Sequence, residues 1–211
     1  MRSAPVEPSS GSAEFSLTGK VVLVTGASTG IGRATAVACA QAGADVAVSY
    51  ATNQAGADGT VDQIRALGRR GHALRADLAD AAAVTALASS ARAALGRVDV
   101  WINNAGADIL SDAAAHLTWI EKLDRLLRVD LRGTVLASWA AVELMRAQDP
   151  GGVILNMAWD HIASGGMTGE YAQVLCAAKG GVYSFSRALA RSVAPHIRVN
   201  VLAPGWVETA Y

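Results

Sequence analysis

Residues 20–50 read KVVLVTGASTGIGRATAVACAQAGADVAVSY, and this stretch decides the fold. The apolar, β-branched run Val21–Val24 predicts a strand that is covered on both faces. A turn with three glycines follows, then a helix from about Ile31 and a second strand at Val46–Ser49. Glycine permits positive φ and close approach of a ligand, and a helix N-terminus attracts phosphate. A glycine triplet alone would suit an ordinary turn, but its place between strand and helix predicts a dinucleotide site.

Strands and helices alternate along the rest of the chain. The pattern predicts helices at about 54–67, 80–95, 117–147 and 171–193, and strands at about 72–75, 98–102, 153–157 and 197–202. Six strands separated by helices indicate an α/β fold with a doubly wound parallel sheet in a single domain. In such a sheet, ligands bind outside the carboxyl ends of the strands.

The composition fits one globular domain, because 52% of the 211 residues are hydrophobic and only 17% are charged. Lys and Arg together number 18, as do Asp and Glu, so we expect no nucleic-acid partner. No run of about 18 apolar residues exists, so we expect no membrane span. Residues 1–16 lack the apolar segment of a secretory signal, and we expect a disordered leader and a cytoplasmic protein.

Two cysteines, Cys39 and Cys176, fall in predicted helices and show no metal-ligand spacing. We therefore expect free thiols in a reducing compartment and no metal site.

Polar residues and glycines follow several of the predicted strands. Asp77 and Leu78 follow the third strand, where a carboxylate could accept a hydrogen bond from an adenine amino group. Alternatively, Asp77 belongs to the cap of the helix that begins near Asp80. The NNAG sequence at 103–106 follows the fourth strand, and its asparagines could tie neighbouring loops together or simply form a turn. APGWVET, at 203–209, closes the sixth strand.

Together, TGASTGIG, NNAG, a lysine at 179 followed by two glycines, and RVNVLAPGWVET resemble the short-chain dehydrogenase/reductase family. The similarity is to its 3-oxoacyl-carrier-protein-reductase-like members and covers about residues 17–211. It implies a Rossmann-type NAD(P)-binding domain, hydride transfer between nicotinamide and a carbonyl or alcohol substrate, and a homo-oligomer, dimer or tetramer. The motifs and the resemblance predict this cofactor site: Gly26, Ser28, Thr29, Gly30, Ile31, Gly32, Tyr50, Asp77, Leu78, Asn104, Ala105, Gly106, Lys179 and Val207.

The end of the second strand bears on the choice between NAD and NADP. A carboxylate there would bind the ribose 2′-OH and repel a 2′-phosphate. This chain has Tyr50 followed by Ala51, Thr52 and Asn53, and no carboxylate before Asp58. No arginine stands at position 29 or 51 to bind a phosphate, yet the hydroxyls and the amide favour NADP over NAD.

The positions that match the family's catalytic tetrad of Tyr, Lys, Ser and Asn differ in three of four cases. Lys179 is present, but the residue four positions before it is Leu175. Trp159 stands at the serine position and Asp130 at the asparagine position. Leucine has no transferable proton, and loss of positioned acid–base help typically lowers a rate by about 10²- to 10⁴-fold.

Other side chains could supply the missing chemistry. Asp160 and His161 follow the fifth strand, where a histidine could act as a general acid; alternatively they form a surface loop or cap local backbone. Tyr171 lies about 12 Å before Lys179 on a continuous helix, which favours the helix's apolar stripe over catalysis. Asp130 could pair with Lys179 or be a tolerated polar residue.

The resemblance also concerns the C-terminus and the activity. Family members continue past the PGW segment, so we expect the last strand and much of the substrate wall to be missing from a chain that ends at Tyr211. Two functions remain open: an oxidoreductase with altered catalytic residues, and a catalytically weak nucleotide-binding module such as a sensor or partner subunit. A defective or truncated member without function is a third reading.

Overall fold

A computed structural model describes residues 15–111, 114–164 and 168–209, so most of the predicted leader lies outside the described residues. The strands, in chain order, are β1 Val21–Val24, β2 Asp45–Tyr50, β3 Gly71–Arg75, β4 Val100–Asn103, β5 Gly152–Met157 and β6 Ile197–Leu202. They form one parallel sheet in the order β3-β2-β1-β4-β5-β6. The chain builds outward from β1 in one direction and then in the other, so a crevice opens between the ends of β1 and β4.

Helices cover both faces of this sheet. In chain order they are α1 Gly30–Gln41, α2 Gln54–Ala66, α3 Ala81–Leu95, α4 Trp119–Leu126, α5 Thr134–Arg146, α6 His161–Ser164 and α7 Glu170–Val193. The prediction of a doubly wound α/β sheet is confirmed. The sequence did not predict α6, because four residues are too few to show a helical period.

The side chains of β1 alternate between two cores. Val21 and Leu23 belong to the cluster shared with α3, α5 and α7. Val22 and Val24 belong to the cluster shared with α1 and α2. A strand covered on both faces has no polar side, which is why its sequence is continuously apolar.

The long helix predicted at 117–147 is interrupted. It begins at Trp119, after a capping box in which Thr118 and Glu121 bond each other's backbone N–H groups at 3.3 and 2.8 Å. Between α4 and α5, Leu127–Gly133 form a π-helical stretch. A wider turn shifts the helical phase, and the apolar spacing of this stretch does not show such a shift. Near its end, a Cβ on Gly133 would lie 2.9 Å from the Leu78 backbone, so the close approach requires glycine.

A buried polar network joins β4 and β5 to the helices on one face. The Asn103 amide donates to Ser138 Oγ at 3.0 Å and to Asn156 Oδ1 at 2.8 Å. Asn103 Oδ1 accepts from the Trp101 indole at 2.8 Å, and the Asn156 amide donates to Ser186 Oγ at 2.8 Å. Each buried amide is therefore satisfied, and α5 and α7 are fastened to adjacent strands.

Asn156→Ala is expected to lower the free energy of unfolding by about 2 kcal/mol, because it leaves buried partners of Asn156 unsatisfied. Urea denaturation measures the loss. Asn200→Ala on β6 is the matched control, since Asn200 is exposed, and it should change stability by less than about 0.5 kcal/mol. Equal losses in the two variants would contradict a specific contribution from the network.

Candidate functional site: a cleft at the carboxyl edge of the sheet

The glycine turn after β1 is fastened to the turn after β4. The Asn104 amide donates to the carbonyl oxygens of Thr25 and Gly26 at 3.0 and 3.1 Å. Thr25 Oγ1 in turn accepts from the backbone N–H groups of Asn104 and Ala105, both at 3.0 Å. Gly26 has φ +63°, and a Cβ there would lie 2.7 Å from Ala105 Cα. Glycine is therefore required for the two turns to meet.

Helix α1 begins directly beyond this turn. Thr29 is the N-cap residue, Gly30 has φ +54°, and the first turn holds no acidic side chain. A Cβ on Gly32 would overlap the Asn104 amide and the Gly26 carbonyl. First-turn amides have no acceptor within a helix, and the helix dipole makes this end positive. The turn and the helix end thus present a surface suited to a diphosphate.

Arg33 supports the turn from the side of α2, a role that the sequence analysis missed. Its guanidinium donates to the Ser28 carbonyl, to the Gly56 carbonyl at 3.0 Å and to Thr60 Oγ1 at 3.1 Å. Thr60 also donates to the Ala27 carbonyl at 2.9 Å. In sequence, an arginine in a first helical turn looks like any exposed helix residue, so no pattern signals these contacts.

The turns after β1 to β4 and the end of α4 enclose a cleft of about 380 Å³. Among its lining residues are eight of the predicted cofactor residues: Gly26, Ser28, Thr29, Tyr50, Asp77, Leu78, Ala105 and Gly106. The other six predicted residues do not line it: Gly30, Ile31, Gly32, Asn104, Lys179 and Val207. Two further lining residues, Arg125 and Arg128, were not predicted.

The predicted residues outside the lining have other positions. Residues 30–32 form the first turn of α1, and Asn104 joins the two loops. Val207 lies after β6 and is 50% exposed. Of the lining residues, Asp77 uses one carboxylate oxygen to accept the Ala79 N–H at 2.9 Å, and it is Asp80 that caps α3. Asp77 thus takes part in the local turn that precedes the cap.

Asp130 and Lys179 form a buried ion pair next to the cleft. Lys179 Nζ lies 2.9 Å from Asp130 Oδ2, and Asp130 is 2% exposed. The other carboxylate oxygen accepts the Ala107 N–H at 2.7 Å, and Lys179 Nζ also approaches the Met157 carbonyl at 3.4 Å. The π-helical stretch, α7 and the turn after β4 therefore meet at one carboxylate. Of the two alternatives for Asp130, the structure shows the pairing.

His161 lies within an aromatic cluster after β5. Its ring is edge-on to Trp159 at 4.5 Å between centroids, and Trp159 is 6.4 Å from Trp206. His161 Nε2 is 3.7 Å from Asp160 Oδ1. Both ring nitrogens are buried and have no hydrogen-bond partner among residues 15–111, 114–164 and 168–209. A buried imidazole in this state can offer its proton to a ligand.

Tyr171 is engaged on the opposite side of α7. Its hydroxyl oxygen accepts a hydrogen bond from Lys122 Nζ at 3.2 Å, and its ring is edge-on to Trp119 at 4.7 Å. Lys122 is only 4% exposed, and its ammonium group lies 4.8 to 4.9 Å from the centroids of both rings. Tyr171 thus joins α7 to α4, eight residues before Lys179, as the packing interpretation predicted.

Cys39 and Cys176 are both free thiols, and burial raises the pKa of Cys39. The described part of the chain contains no cluster of three or more metal-ligating side chains. Within that same part, no helix is long and apolar enough to cross a membrane.

The fold and the cleft define a doubly wound α/β protein with a dinucleotide-type site at the point where the strand order reverses. The chain belongs to the short-chain dehydrogenase family, since the sequence profile described as short chain dehydrogenase matches residues 20–211.

Relatives with named activities support this assignment. L-rhamnose 1-dehydrogenase (NAD(P)(+)) of Sphingomonas sp. is 38% identical over 195 residues, covering 92% of this chain and 74% of that protein. The 3-oxoacyl-acyl-carrier-protein reductase of Synechocystis sp. is 37% identical over 196 residues, covering 92% and 76%. A short chain dehydrogenase from Burkholderia cenocepacia, solved in complex with NADP, superposes with a TM-score of 0.81 at 35% identity, covering 92% and 77%. These names place the chain among oxidoreductases.

Proposed function

We propose that the protein is an NADP-dependent oxidoreductase that transfers hydride between nicotinamide and a carbonyl or alcohol substrate. The observation that carries the proposal is the glycine turn, which is joined to the turn after β4 and opens onto a cleft with the positive end of α1. This arrangement fits a dinucleotide because backbone amides and a helix end bind a diphosphate without bulky side chains. The cofactor supplies the hydride when it is bound.

Two observations favour NADP. Residues 50–53 line the cleft after β2 and include no carboxylate that would repel a 2′-phosphate. Arg75, at the end of β3, donates from Nε to the Ala51 carbonyl at 3.3 Å, which brings a cation to this part of the cleft. The Burkholderia cenocepacia structure contains NADP at a TM-score of 0.81, which agrees with this choice.

The proposed catalytic groups differ from the family's tetrad. Leu175 stands where a tyrosine would donate the proton, Trp159 stands at the serine position, and Asp130 stands at the asparagine position. We assign the proton to His161. In the direction of reduction, a ring N–H donates its proton to the substrate oxygen, and in oxidation the ring nitrogen accepts it. Asp160 lies beside the ring and favours its protonated form.

Lys179 and Asp130 act together in this proposal. The Asp130 carboxylate fixes the Lys179 ammonium group at 2.9 Å and also holds the turn after β4 through Ala107. One buried carboxylate therefore sets the position of the retained lysine relative to the cleft. Lys179 orients the bound groups and adds positive charge, while His161 exchanges the proton.

His161→Gln is expected to lower kcat by at least about 10²-fold, because glutamine has no proton that it can transfer. The test measures NADPH consumption with a panel of ketones and sugar-derived carbonyl compounds, together with the dissociation constant of NADPH. The dissociation constant should change less than about threefold, because the substituted side chain is not part of the cleft lining. His72→Gln on β3 is the matched control and should retain full activity.

A specific observation favours the second candidate, a nucleotide-binding module without catalysis. Leu175 precedes Lys179 by four residues and offers no proton, and no residue described so far restores a tyrosine at that place. If the wild-type protein binds NADPH tightly but consumes it with no member of the panel, the module is the correct function. Turnover that survives His161→Gln unchanged contradicts the role assigned to His161 alone.

A further inference from the structure

We propose that Arg125 and Arg128 form a cationic wall that grips the diphosphate of the cofactor from the side opposite the glycine turn. The inference rests on the proposed function, because it assumes that a dinucleotide occupies the cleft. Arg125 lies near the end of α4 and Arg128 in the π-helical stretch. Both are exposed, both line the cleft, and residues three positions apart lie on the same face of a helix.

The charges of the cleft support the assignment. Among the described residues that line it, Arg125 and Arg128 are the only cationic side chains. The acidic side chains are Asp77 and Asp108, and both are engaged in local turns. The two arginines are therefore the side chains left to neutralise an anionic ligand in this cleft.

Asp108 fixes the place of Arg125 within the cleft. The Asp108 carboxylate accepts the N–H groups of Leu110 and Ser111, both at 3.0 Å, and the Ser111 hydroxyl. Burial acts to raise the pKa of Asp108, but these hydrogen bonds and the charge of Arg125 outweigh it and lower the pKa. Arg125 is thus close to the turn that follows β4, which is the turn fastened to the glycine loop.

The sheet order separates this wall from the expected 2′-phosphate position. β1 lies between β2 and β4, so the glycine turn occupies the middle of the cleft. Residues 50–53 follow β2 on one side, and Asp108 follows β4 on the other side. A group in contact with both the glycine turn and the arginines is therefore the central diphosphate. Guanidinium groups suit this ligand because they donate charge-assisted, often bidentate, hydrogen bonds to phosphate.

The test measures dissociation constants for NADPH and NADH with the wild type, Arg125→Gln, Arg128→Gln and the double variant. Each single substitution is expected to weaken both dinucleotides about tenfold, and the double variant should lose more. The loss should shrink at high salt, because screening reduces the contribution of exposed charges. Arg92→Gln removes an exposed charge from α3, outside the cleft, and should leave both constants within about twofold.

Specific outcomes overturn the inference. Unchanged affinity in the double variant, or an equal loss in Arg92→Gln, removes the wall. A loss confined to NADPH assigns the arginines to the 2′-phosphate and overturns the diphosphate assignment. Wild-type protein that binds neither dinucleotide overturns the proposed function and this inference with it, whereas normal wild-type binding with an unaffected double variant overturns the inference alone. Thermal unfolding without cofactor should match the wild type, which separates lost contacts from lost structure.

Discussion

Gly26→Val is expected to raise the dissociation constant of NADPH more than about 100-fold. Gly26 lines the cleft with φ +63°, a backbone conformation that β-branched residues avoid. Its new Cβ would lie 2.7 Å from Ala105 Cα, so the two turns that Asn104 joins would have to separate. Both the strain, about 1–3 kcal/mol, and the displaced amides act against binding. Isothermal titration with NADPH measures the effect.

The matched control for this experiment is Gly59→Val. Gly59 lies in α2, where no atom lies within 4 Å of a Cβ placed on it, so the same substitution meets no neighbour. Its affinity for NADPH should stay within about threefold of the wild type. Should Gly26→Val fail to give a folded far-UV spectrum, Gly26→Ala introduces the same contact with a smaller side chain. A folded Gly26→Ala protein with wild-type affinity would show that the turn does not hold the cofactor.

Lys179→Met is expected to lower the free energy of unfolding by about 3–5 kcal/mol, because it leaves the Asp130 carboxylate buried without its cation. Asp130 is 2% exposed and keeps only its hydrogen bond from Ala107. Urea denaturation measures the loss without any need for a substrate. Lys20→Met is the matched control: Lys20 is exposed, and its loss should cost less than about 0.5 kcal/mol.

A second substitution tests the cause of this instability. In Lys179→Met/Asp130→Leu the stranded charge is gone, and replacement of a buried ion pair by apolar side chains is often neutral or stabilising. The double variant should therefore be more stable than Lys179→Met. A double variant that is as unstable as the sum of the two single variants would mean that the two residues act independently.

The residues with strong local signatures could be predicted from the sequence. Val21–Val24 are continuously apolar because helices cover both faces of β1, and the glycines of the following turn mark positive φ and a close approach. The pairing of Asp130 with Lys179 was open in the sequence, because it depends on the phase of two helices. The π-helical stretch at Leu127–Gly133 sets that phase for Asp130, and no apolar period reveals one extra residue in a turn.

Residues that act through long-range contacts could not be predicted. Arg33, Arg125 and Arg128 are arginines on helices, and in the sequence they resemble solvent-exposed charges. Only the packing of separate elements shows that Arg33 bonds the glycine turn and that the other two line the cleft. His161 is similar, because its aromatic neighbour Trp206 comes from the loop after another strand.

Asn103 and Asn156 are directly opposite each other in neighbouring parallel strands. The strands around them are almost entirely aliphatic, and aliphatic side chains alone would tolerate several alignments. A slip by one position would turn one carboxamide toward the other face of the sheet and strand both in an oily interior. The pair therefore selects a single alignment of β4 with β5, and that choice sets how far the loops after these strands extend toward a bound substrate.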